Sequence, residues 1–365
     1  MKKLFLLLIA ISGCFFSKAQ INVGASQTDF KSYSKFDFVP GEQVIFFEDF
    51  LQDAIGDFPV NWNTNGTGEV VTVSNFDGRW LKWSAGVSYA PNLKTIFPDN
   101  FTLEFDMVMQ KPEGNYDPHF GLTIYSSDND NLMEEVTTGT TLYTPDRWYV
   151  TTKNGEDWQE VGSSQQITNS DLYNHKTHIS VWGQKQRMRV YVNETKVLDL
   201  PKALPQGVKL NKIKFLNNPE YRELSNDEAG PIFLGNVRIA IGAPDMRSKL
   251  ITEGKLVTRG ILFDVNSDKI KSESYGTLKE IAQVLKDNPT VKVKIVGHTD
   301  SDGDDKTNLD LSKRRGASVK NSLSKDFGID ASRMETDGKG ESEAASPNTT
   351  PEGKANNRRV EFVKM

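Results

Sequence analysis

Nine residues, Phe101-Thr-Leu-Glu-Phe-Asp-Met-Val-Met109, alternate apolar and polar almost without a break. A period of two commits them to a strand with Phe101, Leu103, Phe105, Met107 and Met109 on one face. His178-Ile-Ser-Val-Trp182 and Met188-Arg-Val-Tyr-Val192 follow the same rule. Asn193-Glu194-Thr195 then turns the chain into Lys196-Val-Leu-Asp-Leu200. Asn65-Gly66, Asp77-Gly78 and Asn154-Gly155 supply turn chemistry. Many short strands with few helical windows predict an all-β sandwich over residues 41–245, a barrel being the alternative.

The 365 residues suit two domains, and composition marks the boundary. All six Trp (62, 80, 83, 148, 158, 182) precede residue 183, and the acidic excess is confined to the same region. With 37% apolar and 25% charged residues, the chain has a globular balance. One Cys excludes a disulfide framework and multi-Cys metal sites, and four His leave little for metal chemistry. We expect neither cofactor nor metal. A formal charge of −5 argues against nucleic acid.

Lys2-Lys3 precedes an uncharged, mostly apolar run, Leu4–Phe16, shorter than the roughly 20 residues that a transmembrane helix needs. It has the form of a signal peptide. Ser17-Lys18-Ala19 suits cleavage before Gln20, whereas Ile11-Ser12-Gly13-Cys14 has the form of a lipobox. We expect export with residues 1–19 removed, and a polar linker over 20–40.

From Trp148 to Leu200 the strand succession resembles the jelly-roll sandwich of concanavalin-like and laminin-G-like modules. Some jelly rolls are retaining glycosidases with Glu-x-Asp-x-x-Glu on one strand, which sets two carboxylates about 5–5.5 Å apart. Glu104-Phe-Asp106 starts that pattern, but Met109 stands where the second Glu is required. A solvated charged face is therefore expected for Glu104 and Asp106, and a buried core role for the Trp residues. Ser126-Ser-Asp-Asn-Asp-Asn131 is expected to be a solvated loop rather than a calcium site.

Beyond residue 250 the periodicity changes. Lys255–Phe263 and Val291–Val296 look like strands, as do Met334–Gly338 and Arg359–Val363. Ser274–Asn288 and Asn308–Lys325 have helical spacing. Leu309, Ser312, Gly316, Val319 and Leu323 are the expected packing stripe of the second helix. The order βαβαββ predicts an α+β two-layer domain over 255–365.

Five motifs fall here in order: Phe263-Asp-Val-Asn-Ser267, Gly297-His-Thr-Asp300, Asn308-Leu-Asp-Leu-Ser-Lys-Arg-Arg315, Gly338-Lys-Gly-Glu341 and Asn357-Arg-Arg-Val-Glu361. In order and spacing they resemble the OmpA-like peptidoglycan-binding domain. Gly316 and Lys354 depart from the usual Ala and Arg. The resemblance implies a non-enzymatic domain that binds the diaminopimelate of the peptidoglycan stem peptide, with Asp300 and Arg315 as the binding pair. It also implies a place in the periplasm against the outer membrane and cell wall, with the sandwich docking to an outer-membrane protein or complex. A glycan-directed hydrolase and an outer-membrane barrel porin are the competing readings.

The free end of diaminopimelate carries an ammonium and a carboxylate on one carbon. A carboxylate and a guanidinium held together match it, and the planar guanidinium fork binds carboxylate bidentately. Asn308, two turns before Arg315, is expected on the same helix face. Asp264, Asn266 and Ser267 would line the mouth, with Thr299 beside Asp300. Arg358 and Arg359, read as strand neighbours, would face opposite ways, one toward ligand and one into the fold. His298 is expected to pack, having no nucleophile motif beside it.

Overall fold

The computed structural model describes residues 36–113, 118–126, 135–140, 147–154, 157–217, 230–242 and 245–365. The leader, the linker up to residue 35, the acidic stretch 127–131 and the turn at Gly155 lie outside these residues.

In chain order the first strands are β1 (Gln43–Glu48), β2 (Trp62–Thr64), β3 (Gly68–Val73), β4 (Phe76–Trp83) and β5 (Ser88–Pro91). Next come β6 (Asn100–Met109), β7 (Phe120–Tyr125), β8 (Glu135–Thr140), β9 (Trp148–Asn154) and β10 (Asp157–Ser164). The region closes with β11 (Lys176–Gln184), β12 (Arg187–Val192), β13 (Thr195–Leu200), β14 (Lys212–Asn217) and β15 (Ile232–Ile241). They make two open sheets. One runs β13-β12-β11-β6-β15-β4-β3 with β1 also on β15; the other runs β10-β9-β8-β7-β14-β5-β2.

Alternation in β6 does what the sequence requires. Phe101, Leu103, Phe105, Met107 and Met109 join one apolar cluster with Trp83, Phe120, Trp148 and Phe215, residues drawn from both sheets. Trp62, Trp80, Trp83 and Trp148 are buried, whereas Trp158 is 59% exposed. The turn expected at Asp77-Gly78 falls earlier: Ser74-Asn75 makes it, with Asn75 at φ 69°, and Gly78 lies inside β4. Asn65-Gly66 joins β2 in one sheet to β3 in the other, so it is not a hairpin.

The polar face of β6 departs from expectation. Glu104 and Asp106 are 2% and 4% exposed, not solvated. The Gly41 N–H donates to Thr102 on this face, and Phe38 packs edge-on against Trp182 and Tyr191 of the neighbouring strands. A covered sheet face must satisfy its charges internally, and here it does. His178 lies 2.8 Å from Asp106, Asn236 donates to Asp106 at 2.8 Å, and Arg238 pairs with Glu104.

The C-terminal elements are β16 (Lys255–Thr258), α1 (Tyr275–Asp287), β17 (Val293–Gly297), α2 (Asp305–Lys325), β18 (Met334–Gly338), α3 (Pro351–Asn357) and β19 (Val360–Lys364). The sheet order is β16-β19-β17-β18, with β17 and β18 parallel. Leu278, Ile281, Ala282 and Leu285 turn one side of α1 into the core. Asp304 caps α2 by accepting the Thr307 N–H at 2.9 Å.

Three expectations are corrected. The first strand ends at Thr258, and Phe263 makes only an isolated bridge to Ile270. Just past the strand end the chain runs close against its neighbours, since a Cβ at Gly260 would collide with Thr277 and lie 2.9 Å from Pro40. In α2, Leu309 is 39% exposed and Leu311 takes its place in the buried stripe. Helix α3 stands between β18 and β19, so the order is βαβαβαβ. Its Thr350 cap, accepting the Gly353 N–H at 3.0 Å, and Pro351 in the first turn are ordinary start signals.

Gly297 and Gly338 face each other across the parallel pair. A Cβ on Gly297 would collide with the Ser312 carbonyl of α2, and one on Gly338 with the Ser312 side chain and the Lys313 N–H. Gly297→Ala should therefore destabilise the protein by about 1–3 kcal/mol, the usual cost of overpacking. Urea titration measures it, and a midpoint equal to wild type would contradict the close approach.

Candidate functional site

Asp300 lies three residues beyond β17, and Arg315 on the middle of α2. The loop after Phe263 comes to meet them. Its turn is closed by Ser267 N–H to Asp264 carbonyl at 3.1 Å and passes through Asn266 at φ 52°. Arg315 Nε donates to the Ser267 carbonyl at 2.9 Å, Nη2 reaches the Asp264 carbonyl at 3.5 Å, and the guanidinium sits 4.9 Å over the Phe263 ring. The side chain is thereby fixed while its charge is not cancelled. Among the described residues no carboxylate lies within ion-pair distance of Arg315, although Asp300 acts on it electrostatically. Burial, only partly offset by Asp300, pushes the guanidinium down to about 10, so it stays a cation at neutral pH.

Arg315, Phe263, His298, Arg358 and Arg359 line a cavity of about 110 Å³. Asp300 Oδ2 accepts from Arg358 Nη1 at 2.6 Å and Oδ1 from the Asp302 N–H at 3.2 Å. A carboxylate has about four acceptor sites, so two remain. Thr299 is buried with a hydroxyl that finds no protein partner, and its N–H donates to the Gly340 carbonyl at 3.0 Å.

Other expected residues are placed differently. Asn308 is 4% exposed, and its amide nitrogen donates to Glu341 at 2.6 Å and to the Asp302 carbonyl at 3.1 Å. It lies beneath the loop and shapes it, instead of facing outward. Asp264 pairs with Lys269 at 3.3 Å and Asn266 is exposed, and neither lines the cavity. Arg358 and Arg359 do not lie in a strand; they follow α3 and precede β19. They do diverge: Arg358 meets Asp300, while buried Arg359 pairs with Glu361 at 2.9 Å and donates to the Glu343 carbonyl at 2.9 Å. His298 is buried with Nε2 3.6 Å from Glu361. Burial would raise the Glu361 carboxyl, but His298, Lys255 and Arg359 hold it well below the usual range. Lys354 ties the loop by an ion pair to Asp302 at 2.7 Å. The sequence reading missed Glu341, Phe263 and Lys354 as supports; Phe263 and Glu341 stood inside its motifs.

A two-layer α/β domain following a mostly β-sheet one is the class that this fold defines. Within that class, residues 262–358 are an OmpA family domain. The chain is 38% identical over 111 residues to outer membrane porin F of Pseudomonas aeruginosa, covering 30% of this chain and 32% of the porin. It is 39% identical over 129 residues to the probable lipoprotein YiaD of Escherichia coli, covering 32% of this chain and 58% of that one. A solved structure of the cell wall anchor of the T6SS from Pseudomonas aeruginosa matches at 30% identity over 30% of this chain and 80% of that chain, with a TM-score of 0.28. The chain thus spans less than two thirds of the length of either curated relative.

The carboxylates of β6 form a second, buried cluster. Burial would raise Glu104, but Arg238 and then His178 hold it below its ordinary value. Asp106 is held low in the same way, by His178 and then Lys176. Burial would lower His178, but its hydrogen bond to Asp106 and then the Glu104 carboxylate 3.7 Å from Nε2 raise it to about 10. The histidine is thus a cation between two carboxylates. Its stabilising contribution is complete below the unfolded value of 6.5 and is lost as pH rises through about 10. The carboxylates' contribution holds above about 4 and is lost on acidification. Urea titrations should show stability falling from pH 6.5 to 10, with a shallower fall in His178→Gln. His178→Gln should also cost about 3–5 kcal/mol at pH 6, as expected when one partner leaves a buried charge network. Equal slopes in both proteins would refute the buried cation.

Proposed function

We propose that the protein is a non-enzymatic tether of the cell envelope. The C-terminal domain grips peptidoglycan by the diaminopimelate of its stem peptide, and the β-rich part docks to an outer-membrane protein or complex. The observation that carries this reading is the Arg315 guanidinium, seated on carbonyls, uncancelled by a side-chain carboxylate and opening on the same cavity as Arg358, with Asp300 beside them. Arg315 then takes the ligand carboxylate and Asp300 its ammonium. Thr299 lies close to the end group, Asp264, Asn266 and Ser267 form the rim, and Asn308 holds the loop.

The names of the relatives, an outer membrane porin and a probable lipoprotein, support an envelope location. We take the mature chain to begin at Gln20 in the periplasm, with a jelly-roll sandwich over 41–245 and the wall domain over 255–365. Against a hydrolase stand the two β6 carboxylates, buried and paired with cations. Against a barrel stand two open sheets.

Isothermal titration with a soluble diaminopimelate tripeptide tests the site. Asp300→Ala and Arg315→Ala should each weaken binding by about 2–5 kcal/mol, the typical loss when one partner of a desolvated charge contact is truncated. Arg315→Lys should stay impaired, because an ammonium cannot reproduce the bidentate contact. A tripeptide with Lys in place of diaminopimelate lacks the second carboxylate and should bind poorly. Wild-type affinity in folded Asp300→Ala, or equal affinity for the Lys peptide, would overturn the assignment. Intact-mass measurement of the envelope protein settles the leader: a chain starting at acylated Cys14 would replace cleavage before Gln20.

A further inference from the structure

We propose that Phe47, on β1 of the β-rich part, is a positioning residue for the wall site, its ring holding Arg358 against Asp300. The proposal rests on the diaminopimelate reading and adds to it a residue from outside the matched 262–358 domain.

Arg358 leaves the end of α3 with its guanidinium 4.9 Å from the centre of the Phe47 ring, and Nη1 2.6 Å from Asp300. The side chain is 35% exposed, so without the ring it has solvent to turn into. A cation over an aromatic face is attracted by the ring quadrupole. The ring thereby narrows the directions from which Arg358 meets the carboxylate. Asp300 in turn is aimed by Arg358 on one oxygen and by the Asp302 N–H on the other.

Phe47 reaches this position through a β-bulge. The β1–β15 register shifts between Val44 and Phe46. In an unbroken strand, residues three apart face opposite ways. Here Val44 and Phe47 share a cluster with Ala240 and Ala355, while Ile45 and Phe46 turn into the core between the sheets. Bulges re-aim side chains in this manner. The bulged edge is pinned to α3 two residues before Arg358. Asn356 donates to the Val44 carbonyl at 2.9 Å and accepts the Val44 N–H at 3.2 Å. Arg259 ties the same junction by donating to the Asn356 and Glu42 carbonyls. The spacing between ring and guanidinium is therefore set from both sides.

The test uses the mature chain and a soluble diaminopimelate tripeptide, read by isothermal titration. Phe47→Leu keeps the apolar contact with Val44, Ala240 and Ala355 but has no aromatic face. It should bind about fivefold more weakly, the effect of losing a half-exposed cation–aromatic contact. Phe47→Tyr keeps the face and should bind as wild type. Pentafluorophenylalanine at position 47 keeps the ring's outline while reversing its quadrupole, and should weaken binding like Leu; it decides alone should Phe47→Leu melt early. Wild-type affinity in the fluorinated protein, with Asp300→Ala still losing binding, overturns the role of Phe47 and leaves the site standing. Wild-type affinity in Asp300→Ala overturns the wall reading itself, and this proposal with it.

Discussion

Helix α2 lies against the C-terminal sheet at a separation that only glycine permits. Gly297 and Gly338 are register partners in β17 and β18, and Ser312 sits where either Cβ would be. The hydroxyl of Ser312 donates to the Leu309 carbonyl at 2.8 Å and accepts the Gly340 N–H at 2.9 Å. This brings the loop after β18 down onto the helix, where Glu341 meets Asn308. Asn308 then takes the Asp302 carbonyl, which fixes the loop carrying Asp300. Arg315 is three residues, nearly one turn, past Ser312. Both members of the proposed pair are thus located by one close contact between backbones, with no direct bond between them.

The junction between the β-rich part and the α/β domain sets buried arginines beside apolar contacts such as those of Val44, Phe47 and Ala240 with Ala355. Arg259 is driven down to about 10, first by burial and then by repulsion from Arg238 and Arg359. Arg238 pairs with Glu104 and Arg359 with Glu361. Neutralised groups thus run from the β6 face to the floor of the cavity beside Arg315. Such contacts contribute little net stability over apolar packing, but they tolerate the loss of a partner poorly. Apolar contacts can slide; a guanidinium divided between the Glu42 and Asn356 carbonyls cannot.

Local signals were legible in the sequence, and contacts between distant segments were not. The β6 stripe and the α1 stripe lie where periodicity placed them, whereas Phe263 and the Arg358-Arg359 pair fall outside the strands expected to carry them. The polar face of β6 was not legible either, because alternation says which residues share a face and nothing of what covers it. His178 and Arg238 neutralise that face from 74 and 134 residues away in sequence. Helix α3 carried a visible start, Thr350-Pro351, but at seven residues it has no apolar stripe long enough to read. Asn308 and Arg315 were placed on one helix face by arithmetic, yet one is buried beneath a loop and the other opens on a cavity. What separates them is the loop after β18, which no helical period contains. The bulge in β1 left no signal, since Val44-Ile45-Phe46-Phe47 is apolar throughout and either register would bury two of the four.

The division of labour between Arg358 and Arg359 bears on which ligand group the site holds hardest. Two adjacent arginines leave the end of α3 as the chain turns into β19. Arg359 goes inward and is neutralised by Glu361. Arg358 goes to Asp300 and neutralises it in part. Among the described arginines lining the cavity, Arg315 is the one with no carboxylate in ion-pair distance, its guanidinium resting on neutral carbonyls. Carbonyl dipoles orient a guanidinium without cancelling its charge, and burial strengthens the attraction of that charge for an anion. The cavity wall therefore holds one guanidinium charge that no carboxylate pairs with. On the proposed reading, a zwitterion would meet an unshared partner for its carboxylate and an already shared carboxylate for its ammonium. The carboxylate end would then be the firmer handle, and that carboxylate is what sets diaminopimelate apart from lysine.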